Sequence, residues 1–271
     1  MASLRHLLDQ ILIRLLQHPF LDRVAGYLAW QRRRKTRRQV EAQLIADGRY
    51  PDSVLTGPFA GMALPDKSHF IDARFEKTFG AYEHELFPLI QSLSGNPSTF
   101  DQLINIGAAD GFYTVGLARL FPEAKVLAYE PNQVKTPVLL ETAKLNHVDT
   151  RIALSGLCTP DVLNQLSPTP KTLLIVDVDG YEKPLLDPTQ VPWLKSVSLL
   201  IETHDCFVLG ITELLKQRFH STHQIEEIPM SGPPYASIPL LKSLTMHQVD
   251  SMVGSERPNL QSWLWMTPLP S

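Results

Sequence analysis

Cysteine is scarce in this chain: of 271 residues, only Cys158 and Cys206 carry a thiol. They lie far apart and match no metal or redox spacing. A disulfide-stapled fold, a cysteine-rich zinc module and a Cys-x-x-Cys redox site are therefore excluded, and two reduced thiols are expected. Long apolar runs are missing from the N-terminus as well. Arg5, Asp9 and Arg14 interrupt it, and the longest run there is Ile11-Leu12-Ile13. A secretory core needs about 7–15 apolar residues and a spanning helix about 20. The expected compartment is the cytoplasm. A strong net charge is lacking too: 25 Lys and Arg against 28 Asp and Glu give −3, which selects neither for nor against a polyanionic partner.

What is present suits a globular protein. The chain is 44% hydrophobic and 20% charged, and its length fits one ordinary domain with an appendage. The small net charge hides an asymmetry, because residues 1–49 carry +6 and the remainder −9. Leu4, Leu7, Leu8, Ile11, Leu12, Leu15 and Leu16 follow the rhythm of an amphipathic helix, which His18-Pro19 should end. A second helix is predicted from Leu21 through Trp30 into Arg38, and six of the seven residues from Arg32 to Arg38 are basic. Three readings stay open. The helices can form a cap packed on the core or on a second subunit of a homo-oligomer, with the basic face solvated. They can make peripheral contact with an anionic membrane. Nucleic acid is disfavoured, since no aromatic stacking pattern accompanies the basic run.

Gly48, Pro51, Gly57, Pro58, Gly61 and Pro65 mark residues 48–72 as an irregular connector. A helix is predicted over Ala81–Leu93. From residue 101 strands and helices alternate. Strands are predicted at Leu103–Ile106, Lys125–Tyr129, Arg151–Leu154, Leu173–Val176, Val197–Ile201, Gln224–Ile228 and Trp263–Met266. Helices are predicted at Phe112–Phe121, Asp161–Leu166 and Ile211–Phe219, with another opened by Thr136-Pro137 as cap and first helical residue. Strands separated by crossover helices imply a doubly wound, mostly parallel α/β sheet with helices on both faces. The Pro/Ser/Gly-rich stretch at about 229–262 reads as an insertion or lid before the last strand. The division expected is a helical basic extension and connector over 1–56 and a nucleotide-binding domain over 57–271.

In such a sheet a ligand sits beyond the carboxyl ends of the strands. The first strand runs into Asn105-Ile-Gly-Ala-Ala-Asp-Gly111, a tight turn opening a helix whose free N–H groups face an incoming ligand. Glu130 ends the second strand, 23 residues after Gly107, where an acid is expected to accept from ribose hydroxyls. Pro131-Asn132 follows as an adenosine-binding turn. A dinucleotide turn wants glycine where Ala109 stands, so that backbone can meet pyrophosphate. S-adenosylmethionine (SAM) has no phosphate and does not need that glycine.

With Tyr129-Glu-Pro-Asn132, Val176-Asp-Val-Asp-Gly-Tyr-Glu182 and Leu200-Ile-Glu-Thr-His204, the turn resembles, in order and spacing, the FkbM-like class I SAM-dependent methyltransferases. Gly80-Ala-Tyr-Glu-His-Glu-Leu86 and Glu256-Arg-Pro258 with Trp263-Leu264 are similar to that family's flanking segments, so the resemblance covers roughly residues 57–266. It implies a Rossmann-like sheet of seven strands and a SAM site. Asn105, Gly107, Ala108, Asp110 and Gly111 would shape the methionine pocket. Glu130, Pro131 and Asn132 would hold the adenosine, and Asp177 would lie beside the cofactor amino group or the substrate. Asn105 departs from the family's usual Asp and would hold the SAM ammonium less firmly. The resemblance favours O-methylation of a hydroxyl on a sugar, glycan or natural product. Three rivals remain: nitrogen on a peptide or RNA, a nucleotide-dependent oxidoreductase, and a non-catalytic SAM-fold scaffold.

A hydroxyl acceptor needs a base or a metal. Asp177 and Asp179 follow the fourth strand, and Glu202, His204 and Asp205 the fifth. Adjacent strand ends lie about 5 Å apart. His204 is the candidate base, oriented by Asp179 or Glu202, with Asp177 and Asp179 as its catalytic companions. Asp177, Asp179, Glu202 and Asp205 alternatively offer hard oxygens to a divalent cation such as Mg²⁺. Glu182 reads as the complement of a helix dipole. Tyr82 and Glu83 read either as caps on the cofactor pocket or as part of an amphipathic helix.

Overall fold

The structure, a computed structural model, describes residues 19–66, 71, 73–231, 238–253 and 261–270. The predicted helix over Leu4–Leu16 and the Glu256-Arg-Pro258 motif lie outside them. The chain falls into two compact units, Met1–Tyr50 with Pro239–Gly254, and Pro51–Ile238 with Ser255–Ser271. Among the described residues no helix is long and apolar enough to cross a membrane.

In the first unit, α1 (Pro19–Ala46) runs well past the expected end at Arg38. No glycine or proline interrupts the sequence from Leu28 to Ala46, so nothing local stops it. Most of the basic run is exposed, but Arg37 Nε donates to the Ser251 carbonyl at 3.1 Å. Ser251 belongs to a short helix, Met246–Val253, within the stretch read as an insertion or lid. Residues 239–253 of that stretch thus belong to the N-terminal unit, while Gln261 and Ser262 already form the start of β7 in the second.

The second unit is a seven-stranded sheet in the order β3-β2-β1-β4-β5-β7-β6. Its strands are β1 (Gln102–Ile106), β2 (Lys125–Tyr129), β3 (Ile152–Ser155), β4 (Thr172–Val176), β5 (Ser198–His204), β6 (His223–Pro229) and β7 (Gln261–Pro268). Neighbours from β3 through β5 pair in parallel, and only β7 is reversed, between β5 and β6. The alternating, mostly parallel pattern is the one expected.

Side-chain alternation splits the core into two layers. Leu103, Val126, Leu173, Ile175, Leu200 and Trp263 face one side. There they meet α2 (Phe112–Leu120) and the upstream segment through Phe59, Leu86, Ile90 and Val115. Ile104, Leu174, Val176, Leu199, Ile201 and Leu264 face the other. Leu163, Leu185, Ile211, Leu215 and Phe219 cover them from the helices Pro160–Asn164, Glu182–Leu185 and Ile211–Phe219. Fully burying each such side chain contributes about 1.5–3 kcal/mol. β4, with a helical layer on both faces, is accordingly apolar from Leu173 to Val176.

Two local expectations fail. The helix over Ala81–Leu93 is instead a 3₁₀ turn at His84–Leu86 followed by a shorter helix, Phe87–Ser94, because the chain is left-handed at Glu83 (φ 48°). A helix that was not expected, Arg74–Phe79, precedes them and ends at left-handed Gly80 (φ 68°). Thr136 does not cap the helix Thr136–Leu145 but begins it, with its hydroxyl donating back to the Asn132 carbonyl at 3.1 Å.

Candidate functional site

The turn after β1 is shaped by crowding. Gly107 (φ 83°) passes so close to the end of β4 that a Cβ there would lie 1.6 Å from the Asp177 carbonyl oxygen. Gly111 (φ 88°) packs on Leu139, where a Cβ would meet Cγ at 2.8 Å. Ala109 also sits in the left-handed region (φ 47°), at a cost of about 1–2 kcal/mol for a residue with a Cβ. Glu130 offsets it. One carboxylate oxygen accepts from Ala109 N and the other from Asn132 N, both at 2.7 Å. Charge-assisted bonds of this kind are worth about 1.5–3 kcal/mol each.

Beyond the ends of β1, β2 and β4 lies a cavity of about 300 Å³, the small end of ligand-sized pockets. Gly107, Glu130, Pro131, Asn132 and Asp177 line it, as the motifs implied. Four other expected cofactor residues do not. Asn105 points from β1 toward α2, where it is buried and its amide donates to Thr114 Oγ1 at 2.8 Å. Ala108 is buried with Ala128 and Leu139. Gly111 packs under the next helix. Asp110 is buried against Lys77 at 2.6 Å, with the ammonium also over the Tyr82 and Phe112 rings. Strand parity could have warned of Asn105, since it shares a face with Leu103. The Lys77 pairing carries no local signal. Ala109, Lys135, Leu157 and Tyr181 also line the cavity without having been singled out as contacts.

A second cluster adjoins the cavity through Asp177 and Asp179. Strand β5 was expected to stop at Ile201, with Glu202 and His204 beyond it. It instead runs three residues further, because β7 pairs Glu202 with Trp263, Thr203 with Ser262 and His204 with Gln261. Glu202 and His204 therefore share one face and are buried. His204 Nδ1 meets Glu182 Oε1 at 2.6 Å. Its Nε2 lies 3.7 Å from Asp177 Oδ1 and 3.6 Å from both Asp179 Oδ1 and Glu202 Oε2. Glu182, read as a dipole complement, is thus the residue that orients His204. It is fully buried, it also accepts from Gly180 N, and its Oε2 has no hydrogen-bond partner among the described residues. Asp205, offered above as a metal ligand, faces elsewhere: its oxygens accept from Gly210 N, Thr212 N and the Thr212 hydroxyl, tying down the start of the helix Ile211–Phe219.

The cluster is electrostatically crowded. Burial pushes the Asp177 carboxyl up to about 6, the charges of Glu83 and Asp179 push the same way, and a hydrogen bond with Glu202 and the His204 charge oppose them. The side chain nonetheless keeps 31% of its surface, because it forms part of the cavity wall. Burial of the His204 ring favours its neutral form. The Glu182 hydrogen bond and the Asp177, Glu182 and Asp179 charges outweigh that and hold it above its ordinary range. Glu83, left open between two roles above, is buried and accepts from the Tyr113 hydroxyl. Tyr82 packs edge-on to Phe112. Asp179 is left-handed (φ 47°), like Ala109 and Glu83. Such strain concentrates where a site has to be held in a fixed shape. Asp177, Asp179 and His204 each bring a donor atom within 4.8 Å of the others. The arrangement can hold a proton or a cation next to the cavity.

No protein-family profile matches this chain, and no curated protein matches it. It is similar to several solved structures. Cofactor-bound Rv0187 from MTB is 17% identical, over 62% of this chain and 78% of that one, with a TM-score of 0.43. The O-methyltransferase TomG from Streptomyces achromogenes, involved in tomaymycin synthesis and in complex with SAM, is 13% identical over 62% and 86%, with a TM-score of 0.42. The O-methyltransferase from Bacillus cereus in complex with SAH is 14% identical over 73% and 85%, with a TM-score of 0.43. Identities this low, with TM-scores below one half, leave the functional reading to this chain's own residues.

Proposed function

We propose that this chain is a SAM-dependent methyltransferase acting on a hydroxyl of a sugar, glycan or natural-product acceptor. The observation that carries the reading is a pair of carboxylates at the turn after β1, Asp110 within it and Glu130 reaching it from the end of β2. Glu130 lies on the cavity wall with its oxygens ordered by two backbone N–H groups, poised to accept from ribose hydroxyls. Asp110 stands at the N-terminus of α2, accepting from Phe112 N at 3.3 Å. A dinucleotide would bring its pyrophosphate to that helix end. Here the Phe112 N–H is already taken by Asp110, whose other oxygen is paired with Lys77, so that helix end does not offer this donor to a phosphate, and the site suits a phosphate-free nucleoside.

In the transfer, the acceptor oxygen attacks the methyl carbon of SAM. The carbon–sulfur bond breaks with its electron pair going to sulfur, leaving S-adenosylhomocysteine, and the hydroxyl proton passes by way of the Asp177, Asp179 and His204 cluster to solvent. Little covalent chemistry falls to the protein beyond positioning and activating that oxygen. The Asp177, Asp179 and His204 cluster, contiguous with the cavity, is the activating group in this reading. An amine acceptor would not need it.

Calorimetry with SAM and with NAD tests the cofactor. One SAM per chain and no NAD is the expected result; NAD binding without SAM overturns the reading. A methyl-transfer assay with hydroxyl and amine acceptors tests the second half. Transfer to amines alone moves the acceptor to nitrogen. SAM binding with no transfer to any acceptor leaves a scaffold.

A further inference from the structure

We propose that Asp177, Asp179 and His204 form a divalent transition-metal site, with Glu182 as the positioning residue of its histidine ligand and an acceptor bearing adjacent hydroxyls as the molecule that completes it. The inference deepens the methyltransferase reading, on which its acceptor half rests.

The first argument is the direction of the imidazole. Glu182 takes Nδ1, at 2.6 Å, so the Nδ1–H tautomer leaves an Nε2 lone pair aimed into the cluster. His204 is 1% exposed. Nε2 makes no hydrogen bond with a described residue and faces three carboxylate oxygens at 3.6–3.7 Å. That is too long for an N–H···O bond, which closes at about 2.7–3.2 Å. It is nearly the spread of ligands around one ion: donors about 2.1–2.3 Å from a shared cation lie roughly 3.0–3.6 Å apart. The three donor atoms lie within 4.8 Å of one another, so drawing the two aspartates together around an ion completes it.

The second argument is Glu182 itself. A carboxylate buried without exposure, bonded to the far nitrogen of a histidine, is the usual support of a metal-bound imidazole. Asp179 is 82% exposed and Asp177 opens on the cavity, so an ion and an acceptor have a way in. Glu202 Oε2 is within reach as a further oxygen. One imidazole with carboxylates suits Mn²⁺, Co²⁺ or Zn²⁺ better than Mg²⁺ or Ca²⁺, which prefer oxygen throughout. Two or three protein donors leave positions open, and two adjacent oxygens of a diol or catechol fill them.

The test is metal binding by the full chain after chelator treatment and dialysis. Titration with Mn²⁺, followed by calorimetry and by loss of the free-ion paramagnetic resonance signal, is expected to give one ion per chain. Co²⁺ should bind competitively and show visible absorption that disappears in His204→Ala. Asp179→Asn, at an exposed position that threatens folding least, should weaken Mn²⁺ at least tenfold. Glu182→Gln should weaken it about 10–100-fold with circular dichroism unchanged. A catechol or vicinal diol should tighten Mn²⁺ binding, and a mono-alcohol should not. Folded protein that binds none of the three ions stoichiometrically overturns the proposal, as does binding unaffected by Asp179→Asn. Glu130→Ala separates the two readings: it should abolish SAM binding and leave Mn²⁺ binding intact. Mn²⁺ binding in a chain that never binds SAM would sink the methyltransferase reading and keep the metal.

Discussion

The turn after β1 and the cluster at the ends of β4 and β5 lie on one cavity but are built on opposite terms. In the turn every charge is answered. Glu130 is held by two N–H groups, Asp110 by Lys77, and both glycines sit where a Cβ would strike neighbouring atoms. In the cluster, carboxylates from Asp177, Asp179, Glu182 and Glu202 surround a single imidazole, and one Glu182 oxygen has no hydrogen bond among the described residues. A satisfied turn is a preformed surface that binds by shape. A cluster with surplus negative charge is stable only together with a proton or a cation. The difference assigns recognition to the first region and activation to the second.

Substitutions can break that contrast, and the largest effect is expected at Gly107. Gly107→Ala drives a Cβ into the Asp177 carbonyl and links the two regions by a clash. We expect a loss of about 4 kcal/mol or more in denaturant unfolding, or no soluble protein. A near-native midpoint would show that β4 yields at that crossing. Next is Lys77→Met, which strands the buried Asp110. The expected cost is about 3–5 kcal/mol, largely recovered in Lys77→Met/Asp110→Leu because an uncompensated charge is worse than none. An additive double mutant would contradict a satisfied turn.

Glu130→Gln keeps the shape of the acid but removes its charge. SAM affinity should fall by about 1.5–3 kcal/mol, read by calorimetry, since each ribose bond to a carboxylate is charge-assisted. Unchanged affinity would leave Glu130 as a turn-closing residue only. Ala109→Gly should change stability by about 1 kcal/mol or less, because relief of the left-handed backbone is offset by added freedom in the unfolded chain. A large loss would show that the Ala109 methyl is needed for packing.

The weakest effect is one of pH and lies away from both regions. His223 is buried at the start of β6, with Nε2 against the Val197 carbonyl at 3.0 Å. Burial holds its pKa below the ordinary 6.5, against the opposing pull of that carbonyl. Above pH 6.5 both folded and unfolded chains leave it neutral and its contribution is complete. Below that the unfolded chain gains a proton that the folded chain refuses, so stability falls until the folded group titrates as well. His223→Gln should flatten this part of the stability–pH curve, and an identical slope would remove His223 from the account.

The parallel half of the sheet and its turn were legible because their causes are local. The apolar run at 173–176 and the mostly apolar Leu103–Ile106 read as buried strands, and Gly107, Glu130 and Pro131-Asn132 follow at the spacing a strand–turn–helix unit imposes. Left-handed backbone at Glu83 was not legible, so one helix was expected over Ala81–Leu93 where a 3₁₀ turn and a shorter helix stand, and the helix Arg74–Phe79 before them was not foreseen. The chemistry of the site was least legible of all. His204 and Glu202 become buried strand residues only because β7, some sixty residues later, pairs with them. Glu182 becomes a histidine's partner only because the ends of β4 and β5 meet. Asp205, one residue beyond His204, leaves the cluster to serve a helix end, and Asp110 is claimed by Lys77 from 33 residues upstream. Local pattern selects which residues can form a strand and where its turn must be small. Which acids share a charge, and where a strand stops, depend on pairing across the chain, and those were decided only when the sheet closed.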